Sequence, residues 1–189
     1  MNEQKMEQGI ITFLQGVGID LEDQHFKKTP KRIVKAYLEM FQGFEDTDAK
    51  VKAILSTAFD SKSDQMIFVK NIHVFSMCPH HFLPVEYYVT VAYIPNGKVL
   101  GLSKLPRLIE LLAQRPIIQE DFTEEITQAL MNIGSAGAAV QVEGQHLCMR
   151  MRGIKKPETS AVTSSMLGSF RESVSTRNEF LGQLDGTKF

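Results

Sequence analysis

Two short segments of the chain contain both of its cysteines and three of its five histidines. The first is Cys78-Pro79-His80-His81, and the second is His146-Leu147-Cys148. Zinc prefers thiolate sulfur and imidazole nitrogen, held in a tetrahedral array. Cys78 and His81 have a workable chelating spacing across a turn, and Cys148 would complete a set of three ligands. Three protein ligands leave a fourth position for water, which is typical of catalytic zinc sites.

Two other interpretations of these cysteines stay open. A Cys-x-x-His pair alone is often a buried cysteine beside an unrelated histidine, and a Cys78–Cys148 disulfide would need an oxidising compartment. The polar N-terminus lacks the apolar core of a signal peptide, so we expect a cytoplasmic protein with thiols or metal ligands. His25 and His73 lie outside both segments and are expected to be ordinary surface or packing residues.

The composition is that of an ordinary globular protein. The chain has 189 residues, of which 43% are hydrophobic, and a formal net charge of −1 at pH 7. A charge this close to zero gives no general attraction to nucleic acid or an acidic membrane. No apolar run is long enough for a transmembrane helix. We therefore expect neither nucleic acid nor a membrane as the partner.

The elements that must position the two segments begin with helices. Apolar residues recur at helical spacing from Met6 to Val17. Thr29-Pro30 predicts a second helix, with Thr29 as its N-cap and an end near Gly43. A weaker helical stretch runs from Asp46 to Phe59.

The middle of the chain changes to strand periodicity. β-Branched and aromatic residues predict strands at Ile67 to Val74, with a break near Asn71, and at Val85 to Ile94. Pro95-Asn96-Gly97 is a turn signal, after which Val99-Leu100 returns as a short strand.

The second half of the chain predicts two helices, over Ser103–Leu112 and Thr123–Ile133. A strand over Ala138–Met151 follows, and a last helix runs from Ser175 or Thr176 to Leu184. This order favours an α+β fold with antiparallel pairing over a regular βαβ alternation. We divide the chain into an N-terminal helical region, residues 1–60, and a catalytic domain, residues 61–189.

The predicted strand around Cys148 adds an observation on charge. In a straight strand four alternating side chains would share one face, namely those of His146, Cys148, Arg150 and Arg152. Such a row would suit a site that holds a metal and a polyanion. Lys104 and Arg107 lie near a predicted helix N-terminus, where backbone N–H groups favour phosphate.

Motifs along nearly the whole chain resemble those of the GTP cyclohydrolase I family. The matching stretches are Thr29-Pro30-Lys31-Arg32, Cys78-Pro79-His80-His81, Ala92-Tyr93-Ile94-Pro95-Asn96-Gly97-Lys98, Gly101-Leu102-Ser103-Lys104, Gln114-Arg115-Pro116, Gln119-Glu120, His146-Leu147-Cys148-Met149, Met151-Arg152-Gly153 and Thr176-Arg177-Asn178-Glu179-Phe180-Leu181. They occur in order and with sensible spacing, which makes the resemblance more specific than any one motif.

The resemblance implies a tunnelling fold, with an antiparallel sheet covered by helices on one side and strands of several subunits joined into a barrel. It implies a homo-oligomer, a decamer of two pentamers with active sites between subunits. The implied reaction is the zinc-dependent hydrolytic opening of the imidazole ring of GTP, which releases formate and gives 7,8-dihydroneopterin triphosphate. This reaction is the entry to folate or pterin synthesis.

The resemblance also implies roles for individual residues. Cys78, His81 and Cys148 match the zinc ligands, and His80 and His146 match the catalytic histidines. Gln119 and Glu120 match the guanine-binding pair. The ribose and triphosphate contacts match Ser103, Lys104, Arg107 and Arg152, and Arg32 matches a phosphate contact lent by a neighbouring subunit.

The chain departs from the family pattern at two places. Pro79 stands where the family usually has Glu, and Tyr87 stands where it commonly has Gly. The departures leave open a divergent paralogue that binds a purine or pterin nucleotide with altered or no turnover. A nucleobase deaminase is a weaker alternative, because the His-x-Glu and Cys-x-x-Cys motifs of that class are missing from the sequence.

Overall fold

The computed structural model describes residues 1–185 of the chain. The last four residues of the predicted domain 61–189 lie outside the described residues. The chain forms two compact units, Met1–Gln42 and the part from Gly43 onward.

The first unit consists of two helices, α1 (Glu3–Val17) and α2 (Thr29–Met40), which contact each other. Both helices were expected from the sequence. The prediction of Thr29 as an N-cap is wrong, because Lys28 occupies that position and Thr29 is already helical. The Thr29 hydroxyl donates to His25 O instead of capping the helix.

The second unit contains the remaining helices and all the strands among the described residues. After a short 3₁₀ turn at Gln42–Phe44, the elements are α3 (Thr47–Leu55), β1 (Ala58–Asp60), β2 (Ile67–Met77), β3 (Pro84–Ile94), β4 (Lys98–Leu100), α4 (Lys104–Ala113), α5 (Gln119–Asn132), β5 (Gly137–His146), α6 (Leu147–Arg150), β6 (Ala161–Gly168), α7 (Ser169–Glu172) and α8 (Val174–Asp185).

A four-stranded antiparallel sheet in the order β2-β3-β5-β6 is the centre of the second unit. β1 and β4 form a separate antiparallel pair. The register of β2 against β3 shifts between Val69 and Ile72, where Asn71 takes a positive φ of 61°. The break expected at Asn71 is therefore a bulge within one strand. The α+β class predicted from the sequence is confirmed.

Helices α4 and α5 cover one face of the sheet. Alternate residues of β3 point into that interface, and Val85, Tyr87, Val89, Val91 and Tyr93 are all buried. The period of two along a strand explains this pattern.

The opposite face is covered at one end by α7 and α8. Phe170 and Phe180 pack there against Ala92 and Ala139, and all four side chains are fully buried. The expectation of helices on one side of the sheet is therefore too narrow. Two phenylalanines supply enough apolar surface to hold short helices on the second face.

The strand predicted over Ala138–Met151 is wrong from Leu147 onward. β5 ends at His146, whose partner on β3 is Val85, next to the first strand residue Pro84. Beyond His146 no strand on either side remains to pair with the chain, so it turns into the short helix α6. The sequence analysis also missed β6, a strand rich in small polar residues.

The described helices include none that is both long enough and apolar enough to cross a membrane.

Candidate active site

A tight loop between β2 and β3 carries the first two candidate ligands. Cys78 N–H donates to Leu83 O at 2.9 Å, and Phe82 N–H donates back to Cys78 O at 2.9 Å. Pro79 fits the second position of this turn, because its fixed φ and missing N–H are favoured there. The loop closes on itself and places His81 Nδ1 3.8 Å from Cys78 Sγ.

The third candidate, Cys148, reaches the loop from α6. Its Sγ lies 3.8 Å from Cys78 Sγ, although the two residues are seventy positions apart. The predicted strand face shared by His146, Cys148, Arg150 and Arg152 does not form, because the chain is helical from Leu147 to Arg150. The sequence therefore pointed to the right cysteine through a wrong local geometry.

The three side chains form a set that fits a tetrahedral metal ion. One ligand atom from each of Cys78, His81 and Cys148 lies within 4.8 Å of the others. Two sulfurs bound at about 2.3 Å to a tetrahedral ion are about 3.8 Å apart, and a sulfur and a nitrogen are about 3.5 Å apart. The observed separations of 3.8 Å for both pairs are close to these values. The group can hold a metal ion, and its soft donors suit zinc better than magnesium or calcium.

The group opens to solvent on the histidine side. Cys78 is buried, Cys148 is half-buried and His81 is exposed. Arg152 Nη1 lies 2.9 Å from His81 Nε2. Burial, followed by the bond to Cys78 and the charge of Cys78, raises the pKa of Cys148, and the charge of Arg152 lowers it.

A second segment is fixed beside this loop by the end of β2. Ser76 Oγ donates to Arg115 O at 3.1 Å, and Ile117 N–H donates to Met77 O at 3.3 Å. These bonds attach the segment 115–117, which leads into α5, to the end of β2. The first turn of α5 therefore begins next to Cys78, four residues earlier than the helix predicted from Thr123.

The first residue of α5 is Gln119, which is buried and fully hydrogen-bonded. Its Nε2 lies 3.0 Å from Val142 O, 2.9 Å from Ala161 O and 3.2 Å from Thr163 Oγ1. Its Oε1 lies 2.8 Å from His146 Nε2. One carboxamide thus connects α5, β5 and β6 to His146.

This network fixes the tautomer of His146. The carbonyls of Val142 and Ala161 can only accept, so Gln119 must present its NH₂ to them and its oxygen to His146. His146 Nε2 must then carry the hydrogen, which leaves Nδ1 as the free nitrogen. Burial lowers the pKa of His146 below its usual value, and the charge of Glu120 acts in the opposite direction.

Tyr87 and Gly144 form a size-matched pair behind Gln119. They are direct cross-strand partners on β3 and β5. A Cβ added at Gly144 would collide with Gln119 Oε1 and would lie 2.8 Å from Tyr87 Cε1. The Tyr87 ring also stacks on Phe122 at 5.0 Å and meets the His146 ring edge-on at 6.0 Å. Residue 144 must be glycine to leave room for both neighbours.

A cavity of about 270 Å³ joins the metal-binding group to the His146 network. Its lining residues are Cys78, Pro79, His80, His81, Ile117, Ile118, Gln119, Glu120, His146, Cys148, Met149, Ala161 and Thr163. His80 Nδ1 lies 3.8 Å from Cys78 Sγ, and Glu120 is exposed in the first turn of α5. The structure thus brings seven of the sequence-predicted residues to one place.

The other predicted site residues lie elsewhere in the described chain. Ser103, Lys104 and Arg107 stand at the beginning of α4 and do not line the cavity. Arg32 is exposed on α2, in the unit Met1–Gln42. Arg152 does not line the cavity but contacts His81 at its rim.

Sequence reasoning missed two further residues of the site. Thr163 lies on the unpredicted strand β6, where its hydroxyl is 2.6 Å from Thr123 Oγ1 and 3.2 Å from Gln119 Nε2. The alternation of Val162, Thr163 and Ser164 was a weak strand signal. Tyr87 was noted only as a departure, and its packing behind Gln119 and His146 required the register of β3 and β5. His73, expected outside the site, pairs with Glu86 at 2.8 Å.

Comparison with known proteins gives a consistent match over the whole chain. The family model described as GTP cyclohydrolase I matches residues 6–185. A GTP cyclohydrolase 1 1 of Pseudomonas putida is 41% identical over 177 residues, covering 93% of this chain and 92% of that protein. A GTP cyclohydrolase 1 of Campylobacter jejuni is 40% identical over 188 residues, covering 98% of this chain and 97% of that protein.

A GTP cyclohydrolase 1 of Pseudoalteromonas translucida is 42% identical over 183 residues, covering 96% of this chain and 98% of that protein. Among solved structures, the archaeosine synthase QueF-Like in the apo form aligns with a TM-score of 0.41 and 21% identity. That alignment covers 55% of this chain and 96% of the other. A likeness at this level carries no argument about the site.

The packing around Gly144 predicts the effect of adding one methyl group. Gly144→Ala should displace the Gln119 carboxamide and destabilise the fold by about 1–3 kcal/mol, as overpacked sites do. Nitrogen NMR of the His146 ring should show hydrogen on Nε2 in the parent protein and a mixture of tautomers in the variant. Urea unfolding measures the stability change.

Gly182→Ala is the matched control, because a Cβ at Gly182 meets nothing within 4 Å. Gly182 lies in the interior of α8, so this variant should be at least as stable as the parent. An unchanged His146 tautomer and unchanged stability in Gly144→Ala would contradict the analysis.

Proposed function

This chain belongs to the GTP cyclohydrolase I family, and from that membership and the site geometry we propose a zinc-dependent hydrolysis of GTP. The reaction opens the imidazole ring, releases formate and gives 7,8-dihydroneopterin triphosphate. The observation that carries the proposal is the tetrahedral Cys78, His81 and Cys148 group in one cavity with His146 and Glu120. We place the reaction at the entry to folate or pterin synthesis and the protein in the cytoplasm.

Zinc is the metal that we propose for this group. Two sulfurs and one imidazole nitrogen at tetrahedral separations would hold it and leave a fourth position toward the cavity. Bound there, zinc would lower the pKa of a water to about 7 and so supply hydroxide at neutral pH. Cys78 holds its position through the closed loop, and Cys148 holds its position through α6.

We propose His146 as the group that handles a proton at N7 of guanine. Its Nε2–H is held by Gln119, so the exchange takes place at the free Nδ1. Protonation of N7 withdraws electrons from C8 and makes C8 open to addition of water. A histidine suits this task because its ring gains and loses a proton near neutral pH. His80, which lines the same cavity, handles the later proton transfers.

Glu120 is the proposed selector of the base. A carboxylate can accept two hydrogen bonds, one from guanine N1–H and one from the 2-amino group. Adenine has no hydrogen on N1 and no 2-amino group, so the contact would distinguish guanine from adenine. Gln119 was expected to share this role, but its carboxamide is fully engaged with the sheet and His146. We therefore propose that Gln119 contributes to the site by positioning His146.

The triphosphate requires more surface than one described chain offers at the cavity. The cavity volume of about 270 Å³ is below the roughly 300–1,000 Å³ that is typical of ligand pockets, and GTP is a large ligand. We propose that Arg152 at the rim contacts the triphosphate. A neighbouring subunit supplies the remaining ribose and phosphate contacts through Ser103, Lys104, Arg107 and Arg32.

A symmetric homo-oligomer follows from this shared site, and we propose a decamer of two pentamers. The sheet order β2-β3-β5-β6 leaves β2 and β6 each with one paired side among the described residues. Phe75 on β2 and Val162 on β6 are 61% and 57% exposed. Pairing β6 of one copy with β2 of the next would join the two open strand edges and close a tunnelling-fold barrel.

The first test of the proposal is metal content together with product. The purified protein should hold about one zinc per chain and convert GTP to formate and a product that becomes fluorescent on oxidation. Cys148→Ser should lose metal and product together, because only two protein ligands remain.

His25→Ala is the control, since His25 is exposed and outside both metal-binding segments, and it should keep both properties. Full activity without bound metal would contradict the zinc proposal. Binding of GTP and zinc without formate would instead identify a nucleotide-binding paralogue.

The second test separates recognition of the base from the chemical step. Glu120→Ala should weaken GTP binding by about 1–3 kcal/mol, because it leaves two guanine N–H groups unpaired. His146→Ala should still bind GTP and zinc, but its rate should fall by about 10²–10⁴. Calorimetry with GTP and single-turnover kinetics measure the two effects.

Asp121→Ala is the matched control for Glu120, since Asp121 is an exposed carboxylate in the same first turn of α5. It should bind GTP as the parent does. If His146→Ala makes product at the normal rate, His80 becomes the better candidate for the proton at N7.

The third test addresses the shared site. Light scattering should give the mass of ten chains. Arg32→Ala and His146→Ala should each be inactive alone, but co-refolded mixtures should recover part of the activity, because some sites combine an intact His146 with an intact Arg32 from the neighbour.

A mixture of His146→Ala with Cys148→Ser is the control. Both residues belong to the same chain's half of the site, so mixing cannot restore it. A fully active monomer, or no recovery in the first mixture, would overturn the shared-site arrangement.

A further inference from the structure

Thr163 places a hydroxyl group at the cavity that has no part in the proposed reaction. The residue lines the cavity together with Glu120 and His146. Its Oγ1 lies 2.6 Å from Thr123 Oγ1 and 3.2 Å from Gln119 Nε2. Because a hydroxyl can donate one hydrogen bond and accept two, these contacts decide what the oxygen can offer to a bound molecule.

The hydrogen between the two threonine oxygens belongs to Thr163. Thr123 Oγ1 donates to Gln119 O at 2.7 Å, and this backbone carbonyl can only accept. Thr123 has a single hydroxyl hydrogen, which this bond uses. The 2.6 Å contact is therefore a donation from Thr163 to Thr123. Thr163 has no hydrogen left to donate, so it can meet a molecule in the cavity only as an acceptor.

The contact with Gln119 leaves part of this accepting capacity free. The NH₂ group of Gln119 has two hydrogens, and its nitrogen lies closer to Val142 O and Ala161 O, at 3.0 Å and 2.9 Å, than to Thr163 Oγ1. The contact with Gln119 occupies at most one lone pair of the Thr163 oxygen. At least one lone pair is available for an N–H group of a bound molecule.

Two acceptors from different elements thus line one cavity. Glu120 lies in the first turn of α5, and Thr163 lies on β6. Gln119, the neighbour of Glu120 in the chain, contacts Thr163 directly. A molecule bound between the two acceptors has to bring several N–H donors. The guanine edge has three, namely N1–H and two hydrogens on the 2-amino group, and a contact with Glu120 uses only two of them.

We propose that Thr163 Oγ1 accepts the second hydrogen of the guanine 2-amino group. The proposal rests on the proposed function, because it needs guanine in the cavity with N1–H and the first amino hydrogen on Glu120. An N–H group that loses water without gaining an acceptor costs free energy, and Thr163 removes that cost. Hypoxanthine has N1–H but no 2-amino group, so it cannot make this contact. Thr163 is then a specificity-determining residue for the 2-amino group.

Thr163→Val tests this proposal, because valine keeps the branched shape and replaces the hydroxyl with a methyl group. In the variant, Gln119 keeps its two shorter contacts and Thr123 keeps its bond to Gln119 O. No other polar group of this network loses its only partner, so we expect the fold to tolerate the change.

The probes are the triphosphates of 7-deazaguanosine and 7-deazainosine. They differ from each other only in the 2-amino group, and carbon in place of N7 keeps the ring from being opened. Calorimetry on the purified protein measures both affinities. Thr163→Val should bind the guanine analogue about 5-fold or more weakly than the parent does, since one buried N–H loses its acceptor. The hypoxanthine analogue should bind as it does to the parent.

Two further variants serve as controls. Thr163→Ser keeps the hydroxyl and should keep the preference of the parent for the guanine analogue. Thr127→Val removes a hydroxyl from a buried threonine of α5 that donates to Thr123 O at 2.8 Å and does not line the cavity. It should bind both analogues as the parent does.

Two results would overturn this proposal alone, in a parent protein that releases formate from GTP. One is a parent-like preference for the guanine analogue in Thr163→Val. The other is an equal loss of affinity for both analogues, which would indicate that the hydroxyl only maintains the structure. If the parent neither releases formate nor binds either analogue, the proposed function fails and this proposal fails with it.

Discussion

The buried carboxamide of Gln119 is the contact on which the geometry of the site depends. It donates to the backbone of two neighbouring strands and presents its oxygen to His146. A carboxamide is the one neutral side chain with donors and an acceptor on opposite arms, so it can connect carbonyls to an imidazole N–H without burying a charge. The same contact fixes the first turn of α5 and therefore the place of Glu120. Glu120 and His146 are thus positioned by one side chain.

The side chains around Gln119 tolerate little change in volume, because they are close-packed. Tyr87 fills the space behind Gln119, and Gly144 leaves it the room to do so. Interiors at this density transmit small changes of volume directly to neighbouring side chains. The tyrosine that seemed a departure from the family pattern is therefore matched by a glycine on the next strand.

The metal-binding group combines rigidity on one side with access on the other. Cys78 is buried within the core, whereas His81 and the rim residue Arg152 are exposed. A buried thiolate costs free energy unless an ion or donors compensate its charge, so a metal ion held by Cys78 would offset that cost. The exposed side is where a charged substrate can enter without crossing the core. The fold therefore places the buried cysteine on the core side of the group and the exposed histidine and arginine on the solvent side.

The sequence by itself determined the residue types of the site and most of its elements. The Cys/His segments predicted the three residues that the structure brings together as a group able to hold a metal ion, and hydrophobic periodicity located most of the helices and strands. The α+β class followed from their order. Local patterns carry this information because side-chain periodicity and ligand chemistry depend on near neighbours.

Only the tertiary structure decided how those residues meet. The end of β5 at His146 depends on where β3 begins, so the strand predicted through Cys148 had no partner to pair with. The strand β6 is held by β5 rather than by its own small polar residues, so its Thr163 could not be found from the sequence. The orientation of Gln119 and the fit of Tyr87 against Gly144 depend on cross-strand register. Register joins residues far apart in the chain, and no local pattern contains it.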